Sequence, residues 1–176
     1  MKKQFLSIFI RYIILLAVAI PNLYLFYLIF TPLTTNIVYL ILNLFYGSSL
    51  IENTITIIHN NLAYPIEIIP ACVAGSAYYL LLILNLSTSK IKFNKRILMI
   101  IASFLVFFII NVLRIVLLTF FHISNSNLFN IAHQFFWYFL SIIFVIIIWF
   151  AQVKLQKIKS IPFYSDINLL YNKIKK

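Results

Sequence analysis

The sequence predicts an all-α integral membrane protein, with about four transmembrane helices, one interfacial helix and a small β-hairpin outside the membrane. Three observations lead to this prediction. First, 64% of the residues are hydrophobic and only 10% are charged, which leaves too little polar surface to cover a soluble domain of this size. Second, several apolar runs are long enough to cross a hydrocarbon core of about 30 Å. Third, the positive charges stand at the ends of these runs.

The formal charge of +11 arises from 14 Lys and Arg residues against 3 Asp and Glu residues. Strongly basic chains often bind nucleic acid, but here the basic residues other than Arg114 lie towards the two chain ends and in one loop, residues 90–96. Positive residues that flank apolar segments stay on the cytoplasmic side of a membrane. We therefore expect a multi-pass protein of the cell membrane with both termini in the cytoplasm, and no nucleic-acid partner.

The N-terminal part of the chain predicts one span followed by one surface helix. Residues 6–30 are apolar and long enough to span, with a kink expected at Pro21. Pro32 predicts a break, and residues 33–46 then show an amphipathic pattern typical of a helix in the outer interface. If residues 33–46 crossed the membrane instead, one of the basic ends would have to lie outside. The charge pattern therefore favours four spans.

A change from helical to alternating periodicity marks residues 53–69. Polar and apolar residues alternate over residues 54–57, and a second β-branched run follows Asn60 and Asn61. Asn tolerates the positive φ that tight turns need, so this pattern predicts a β-hairpin. A hairpin leaves backbone polar groups that lipid cannot satisfy, and we therefore expect it outside the membrane, over the mouth of the helices.

The rest of the chain predicts three further spans and a tail. Ala71 and Gly75, four residues apart on the first of these spans, allow close approach of a neighbouring helix. A polar segment at the outside is expected between the last two spans. The predicted ranges are residues 71–86, 97–121 and 132–153 for the spans, 124–130 for the polar segment, 1–159 for the whole membrane domain and 160–176 for a basic cytoplasmic tail.

Three side chains that can do chemistry are expected at one depth near the outer surface. Cys72, the only cysteine, stands at the outer start of its helix, and His133 stands at the outer start of the last one. Arg114 lies roughly 27 Å from the inner end of its helix, at a rise of about 1.5 Å per residue. A thiol, a guanidinium and an imidazole from three separate segments therefore reach the same layer, facing outside.

Each of these residues also has a simpler interpretation. A lone membrane cysteine is usually inert, Arg114 could extend to lipid headgroups, and His133 alone is typical of a polar residue at the membrane interface. However, burying an arginine in an apolar run is costly, and such residues usually face a cavity. His122, at the end of the Arg114 helix, is an alternative to His133 as a base. Asn111, one turn before Arg114, either orients the guanidinium or forms an interhelical hydrogen bond.

The sequence predicts neither a metal site nor a cofactor. It shows no cluster of His, Cys, Asp and Glu at metal-ligand spacing. Its two glycines cannot build a glycine-rich phosphate loop. Glu67 is the one acidic residue near the expected site, and we interpret it as a surface carboxylate of the hairpin.

The motifs around these residues resemble those of the exosortase/archaeosortase family. The resemblance depends on the stretch PACVAG at residues 70–75, the stretch NVLRI at residues 111–115, and His133 at the opening of a final helix. The order Cys, Arg, His on three consecutive membrane segments is the signature of that family, and the hairpin before the cysteine also fits. The resemblance covers about residues 51–150 and is strongest to the short archaeal branch, the pacearchaeosortases.

This resemblance implies a membrane-embedded cysteine protease or transpeptidase that acts on secreted proteins. Such an enzyme cleaves a C-terminal sorting signal (a short motif, a membrane helix and a basic tail) and joins the new C-terminus to a lipid or other amine-type acceptor. The resemblance implies Cys72 as nucleophile, Arg114 as the oxyanion-stabilising or positioning group and His133 as acid and base, with Asn111 and Gly75 in support. Two alternatives stay open: a hydrolase without transfer, and a non-catalytic scaffold or transporter subunit that binds anionic lipid through Arg114.

Overall fold

The structure is a computed structural model that describes residues 2–21, 23–89, 91–124 and 128–158, together with the isolated residues 162, 164, 167 and 171. It is mostly helical, with one small antiparallel sheet. In chain order the elements are α1 (Lys2–Ala19), α2 (Tyr24–Asn43), β1 (Gly47–Ile51), β2 (Thr54–His59), β3 (Leu62–Glu67), α3 (Pro70–Val73), α4 (Gly75–Ser87), α5 (Phe93–Ile123), α6 (Leu128–Phe135), a π-helical turn (Phe136–Leu140) and α7 (Ser141–Leu155).

Three helical segments of the described chain are long and apolar enough to cross a membrane. They are α2, α3 together with α4, and α5, and shorter apolar helices lie in α1 and α7. Large apolar side chains also cover the outer surfaces of these helices. The chain is therefore a membrane protein, as predicted. The predicted tail, residues 160–176, and the centre of the predicted polar segment, residues 125–127, fall outside the described residues apart from four isolated positions in the tail.

The first helical break lies earlier than the sequence predicts. We expected one helix over residues 6–30 and a separate interfacial helix over residues 33–46. Instead, α1 ends at Ala19, Leu23 adopts a left-handed φ of 61°, and α2 then runs without interruption through Pro32. The prediction of a separate interfacial helix is therefore wrong, because its residues continue a helix that begins at Tyr24.

Pro32 is tolerated because α2 is packed on both sides of it. Before the proline, the ring of Phe30 stacks on that of Tyr78 with centroids 3.9 Å apart. After it, Val38 is completely buried. A proline inside a helix costs about 3 kcal/mol, and this packing offsets that cost. Pro21, in contrast, lies in the break itself, where it does not interrupt a helix.

α2 runs alongside α5 and in the same direction. Near the middle of α5, the rings of Phe26 and Phe104 are 5.8 Å apart. Near its end, the rings of Phe45 and Phe120 are 5.7 Å apart. Since both pairs follow the same order along the chain, the two helices are parallel.

Two buried arginines tie the end of the bundle that lies away from the sheet. Arg11 from α1 and Arg96 from α5 both donate to the carbonyl oxygen of Leu86 at 2.7 Å. Arg96 also donates to the carbonyl oxygens of Asn85 at 3.0 Å and Thr88 at 2.9 Å. These cations compensate the partial negative charge at the C-terminal end of α4. Because Arg11 and Arg96 meet at the end of α4, α1 starts at the same end of the bundle as α5. Together, α1 and α2 therefore run along the length of α5.

The predicted hairpin is confirmed, and a third strand extends it. β2 and β3 pair antiparallel around Asn60 and Asn61, whose φ values of 51° and 61° suit a two-residue hairpin turn. β1 pairs with the other edge of β2. We had interpreted residues 47–49 only as the end of a helix. The buried side chains of Ile55 and Ile57 hold the sheet against the helices.

The helix that carries Cys72 is interrupted two residues later. We expected one helix over residues 71–86, but α3 and α4 are separated by Ala74, whose φ of 58° and ψ of 48° are left-handed. Asn111 on α5 donates from Nδ2 to the carbonyl oxygens of Cys72 at 2.9 Å and Val73 at 3.4 Å. These are carbonyls at the end of a short helix, where partners inside the helix run out. Asn111 thus stabilises the break.

Gly75 allows α2 to pack directly against this break. A Cβ atom at Gly75 would lie 2.7 Å from Cε1 of Tyr27, which is closer than two carbon atoms pack. The predicted close approach of a neighbouring helix at Gly75 is therefore confirmed, and the neighbour is α2.

We expect Gly75→Ala to lower the free energy of unfolding by about 1–3 kcal/mol, the usual cost of overpacking, because the Tyr27 ring must move. Gly47→Ala is the matched control, since a Cβ atom there meets nothing within 4 Å. The measurement is unfolding of the full chain in detergent, followed by circular dichroism. Equal stability of the two variants would contradict the close packing of α2 on Gly75.

Candidate active site

Cys72, Arg114 and His133 line one cleft at the sheet end of the bundle, which we call the Cys72 cleft. They come from α3, α5 and α6, and residues 65–68 of β3 and the chain after it form another wall. The structure therefore brings together the three residues that the sequence placed at one depth. The cleft has a volume of about 220 Å³, below the range of about 300–1,000 Å³ typical of small-molecule pockets.

The backbone of Cys72 is held on both sides of the residue. Its N–H donates to the carbonyl oxygen of Ile69 at 2.8 Å, and its own carbonyl accepts the bond from Asn111. The thiol is free and half-buried. A fixed backbone with an accessible thiol is the arrangement that a nucleophile needs.

The guanidinium of Arg114 lies inside the bundle next to the cysteine. Arg114 is 8% exposed, and it lines the Cys72 cleft together with the cysteine. Nη1 donates to the Oγ atom of Ser141 at 3.1 Å, whereas Nε has no hydrogen-bond partner within the described chain. Burying an arginine is costly, and such residues usually mark functional sites in membrane proteins.

Asn111 takes one of the two roles that the sequence left open. Its amide forms the interhelical hydrogen bond to the Cys72 carbonyl. Its Oδ1 atom and the Nε atom of Arg114 both lack partners among the described residues, so the two side chains do not bond to each other through these atoms. Asn111 therefore positions the backbone of the thiol and not the guanidinium.

Two imidazoles line the Cys72 cleft, and a phenylalanine lies between them. His122 at the end of α5 and His133 in α6 are both exposed. The ring centroid of Phe129 is 5.0 Å from that of His122 and 5.6 Å from that of His133. The rings of Phe129 and His133 are nearly parallel, with an angle of 13° between their planes. The structure thus places both candidates for the base on the cleft. Glu67 also lines it and is exposed, as expected of a surface carboxylate.

Ser141 is the site residue that sequence reasoning missed. Its hydroxyl accepts the bond from Arg114 and donates to the carbonyl oxygen of Phe136 at 3.4 Å. Phe136 begins the π-helical turn between α6 and α7, and such turns are rare and frequent at functional sites. A single serine in an apolar run gave no signal of this role.

Arg114 also lines a second cleft, on the other side of the broken helix. This second cleft has a volume of about 500 Å³ and is walled by α2, α3, α4 and α7. Gly75 and Ser141 are among its lining residues. The guanidinium of Arg114 therefore lies between two clefts, with the thiol in only one of them.

Comparison with protein-family models, with curated proteins and with solved structures finds no match to the chain. In the part of the chain that the structure describes, no three His, Cys, Asp or Glu residues are grouped so that they could hold a metal ion. The ionisable residues that line the Cys72 cleft are Glu67, Cys72, Arg114, His122 and His133.

Proposed function

We propose that this protein is a membrane-embedded cysteine peptidase or transpeptidase that removes C-terminal sorting signals from secreted proteins, as the sequence resemblance to exosortases and archaeosortases implies. The observation that carries the proposal is the shared cleft of Cys72, Arg114 and His133. A nucleophilic thiol, a fixed cation and a proton-transfer group are what acyl transfer through a cysteine requires.

Each group has one role in the proposed reaction. The sulfur of Cys72 attacks the carbonyl carbon of the sorting motif while His133 takes the thiol proton. Arg114 stabilises the negative charge that develops on the carbonyl oxygen, in a site of low dielectric. His133 then gives its proton to the leaving amine as the C–N bond breaks. Water or an amine-type acceptor finally attacks the thioester carbonyl and gives a proton to His133. The C–S bond then breaks, and His133 returns the proton to the sulfur of Cys72, which restores the free thiol.

We also propose that the chain crosses the membrane four times with both termini in the cytoplasm. α1 and α2 make one broken crossing, because they follow each other along α5. The other crossings are α3 with α4, α5, and α6 with α7. This arrangement puts the end that holds Arg11 and Arg96 inside, in agreement with the positive-inside rule, and the Cys72 cleft outside.

We expect reporter fusions at Lys3 and at Lys176 to show a cytoplasmic location, because basic residues resist translocation. A tag inserted between Asn60 and Asn61, at the tip of the hairpin, should be accessible from outside and serves as the opposite control. The measurement is the activity of compartment-specific reporters in intact cells. Translocation of either terminus would contradict the four-crossing topology.

We expect His133→Ala to lower cleavage of the sorting signal by a factor of about 10²–10⁴, the usual contribution of proton transfer. His122→Ala is the matched control and should have little effect, since each variant removes one ring contact with Phe129. The assay is cleavage of a secreted reporter that ends in the tail of a co-encoded protein with a motif, an apolar helix and a basic end. Loss of cleavage with His122→Ala alone would move the base to the end of α5.

A further inference from the structure

We propose that the second cleft binds the phosphate group of an anionic membrane lipid, which reaches Arg114 from the side, between α4 and α7. This site shares the guanidinium with the Cys72 cleft but does not include the thiol. The inference therefore goes beyond the proposed peptidase activity and stands whether or not Cys72 is a nucleophile.

The first argument is the state of the buried cation. Arginine has five N–H donors in a planar fork. The described chain engages Nη1 through Ser141 and leaves Nε without an acceptor, although Arg114 is only 8% exposed. No Asp or Glu is among the residues that line the second cleft. A planar fork with unused donors matches the oxygens of a phosphate group.

The second argument is the shape and polarity of the cleft. Its volume of about 500 Å³ exceeds the 220 Å³ of the Cys72 cleft. The polar side chains that line it are those of Tyr27, Ser76, Arg114 and Ser141. One helical turn further from the sheet end, Leu80 on α4 and Val145 on α7 provide an apolar lining. A site that is polar at one level and apolar at the next fits an amphiphile.

The third argument is the direction from which the cleft is reached. Ile142, which lines it on α7, is 54% exposed, so the lining continues onto the apolar outer surface of the bundle. α4 and α7 are apolar helices of the membrane region. A ligand that enters between them comes from the bilayer, and the ligands in a bilayer that carry a phosphate are lipids.

The test uses the purified full chain in dodecyl maltoside, a detergent without phosphate, and a phosphatidylglycerol with a photoreactive acyl chain. A diacylglycerol with the same acyl chain is the matched probe without phosphate. After illumination, labelled peptides are identified by mass spectrometry. We expect the phosphatidylglycerol probe, but not the diacylglycerol probe, to concentrate its label on Leu80 and Ile142.

Three variants separate the phosphate site from a merely apolar groove. Arg114→Gln should lower this labelling about ten-fold, since a charge-assisted hydrogen bond contributes about 1.5–3 kcal/mol. Ser76→Trp keeps the cation and should lower the labelling by filling the cleft. Lys154→Gln, which removes one positive charge from the exposed end of α7, should leave it unchanged. Equal labelling by both probes, or full labelling of Arg114→Gln, would overturn the proposal.

Two further experiments distinguish a lipid from free phosphate as the ligand, and the lipid site from the peptidase activity. Displacement of the phosphatidylglycerol label by millimolar inorganic phosphate would show that the free anion is sufficient, and would overturn the assignment to a lipid. Cys72→Ala should keep the label while it loses cleavage of the sorting signal. Retained cleavage in Cys72→Ala would refute the peptidase proposal alone, and unlabelled wild-type protein would refute the lipid site alone.

Discussion

Cys72→Ala is expected to abolish cleavage of the sorting signal, with a loss of at least about 10⁴-fold, as for the removal of other catalytic nucleophiles. No other thiol can replace Cys72, because the chain has a single cysteine. The measurement is cleavage of the secreted reporter in membranes that contain equal amounts of each variant. A membrane-impermeant thiol reagent added from outside should also label Cys72 and block cleavage by the wild-type protein.

The controls for Cys72→Ala keep the fold and move only the thiol. Ala71→Cys in the Cys72→Ala background restores a thiol one residue earlier, at a position that lines the second cleft, and should not restore cleavage. Cys72→Ser keeps the size of the side chain but supplies a weaker nucleophile. We therefore expect Cys72→Ser to cleave far more slowly than the wild-type protein. Normal cleavage by Cys72→Ala would show that the thiol is not the nucleophile.

Arg114→Gln is expected to lower cleavage by a factor of about 10²–10³, the usual effect of removing one group that stabilises an oxyanion. It should also slow alkylation of Cys72, because a neighbouring cation favours the reactive thiolate. Arg114→Lys keeps the charge but loses the planar fork. We therefore expect the lysine variant to restore alkylation more than cleavage. Both rates are measured on the same membrane preparations.

The control for Arg114→Gln is a variant that loses a positive charge far from the site. Lys154→Gln removes one positive charge at the exposed end of α7 and should leave both rates unchanged. If Arg114→Gln cleaved the reporter at the wild-type rate, the guanidinium would have no role in the chemistry. If alkylation fell but cleavage did not, the cation would act on the thiol without acting on the substrate.

The sheet shows which sequence signals predict local structure well. The hairpin was predicted from the alternation in β2 and from Asn60 and Asn61 at the turn. Both signals report local backbone geometry, and the predicted hairpin is present. β1 was missed because its residues, Gly47, Ser48 and Ser49, are as typical of a helix end as of a strand. Its pairing with β2 is a tertiary contact that no local pattern specifies.

Helix breaks were harder to predict because packing decides between competing signals. Pro21 and Pro32 are equally strong as local breakers, but the chain breaks near Pro21 and stays helical through Pro32. At the second break, the left-handed residue is Ala74 and not the glycine that follows it. This break coincides with hydrogen bonds from Asn111, a residue 37 positions later in the sequence, and such a partner is not visible in a local window.

Only the main residues of the candidate site could be predicted from the sequence. Depth along each helix predicted that Cys72, Arg114 and His133 would meet, and they line one cleft. Phe129 and Ser141 were not predicted. The π-helical turn between them changes which residues share a face, so the usual helical period does not show that Ser141 reaches Arg114.

The two buried arginines at the end of α4 also constrain how the chain enters a bilayer. The segment Pro70–Ser87 is less apolar than Phe93–Ile123 and partitions less readily on its own. Arg96 satisfies Leu86 and Thr88 from only a few residues away in the sequence, so α4 and α5 can leave the translocon as a helical hairpin with these polar groups already paired. Arg11 precedes that hairpin in the chain and donates to the same Leu86 carbonyl, so it can form this bond only once α4 has been made. The final packing of α1 therefore waits for α4, and membrane insertion and folding are coupled through one carbonyl group.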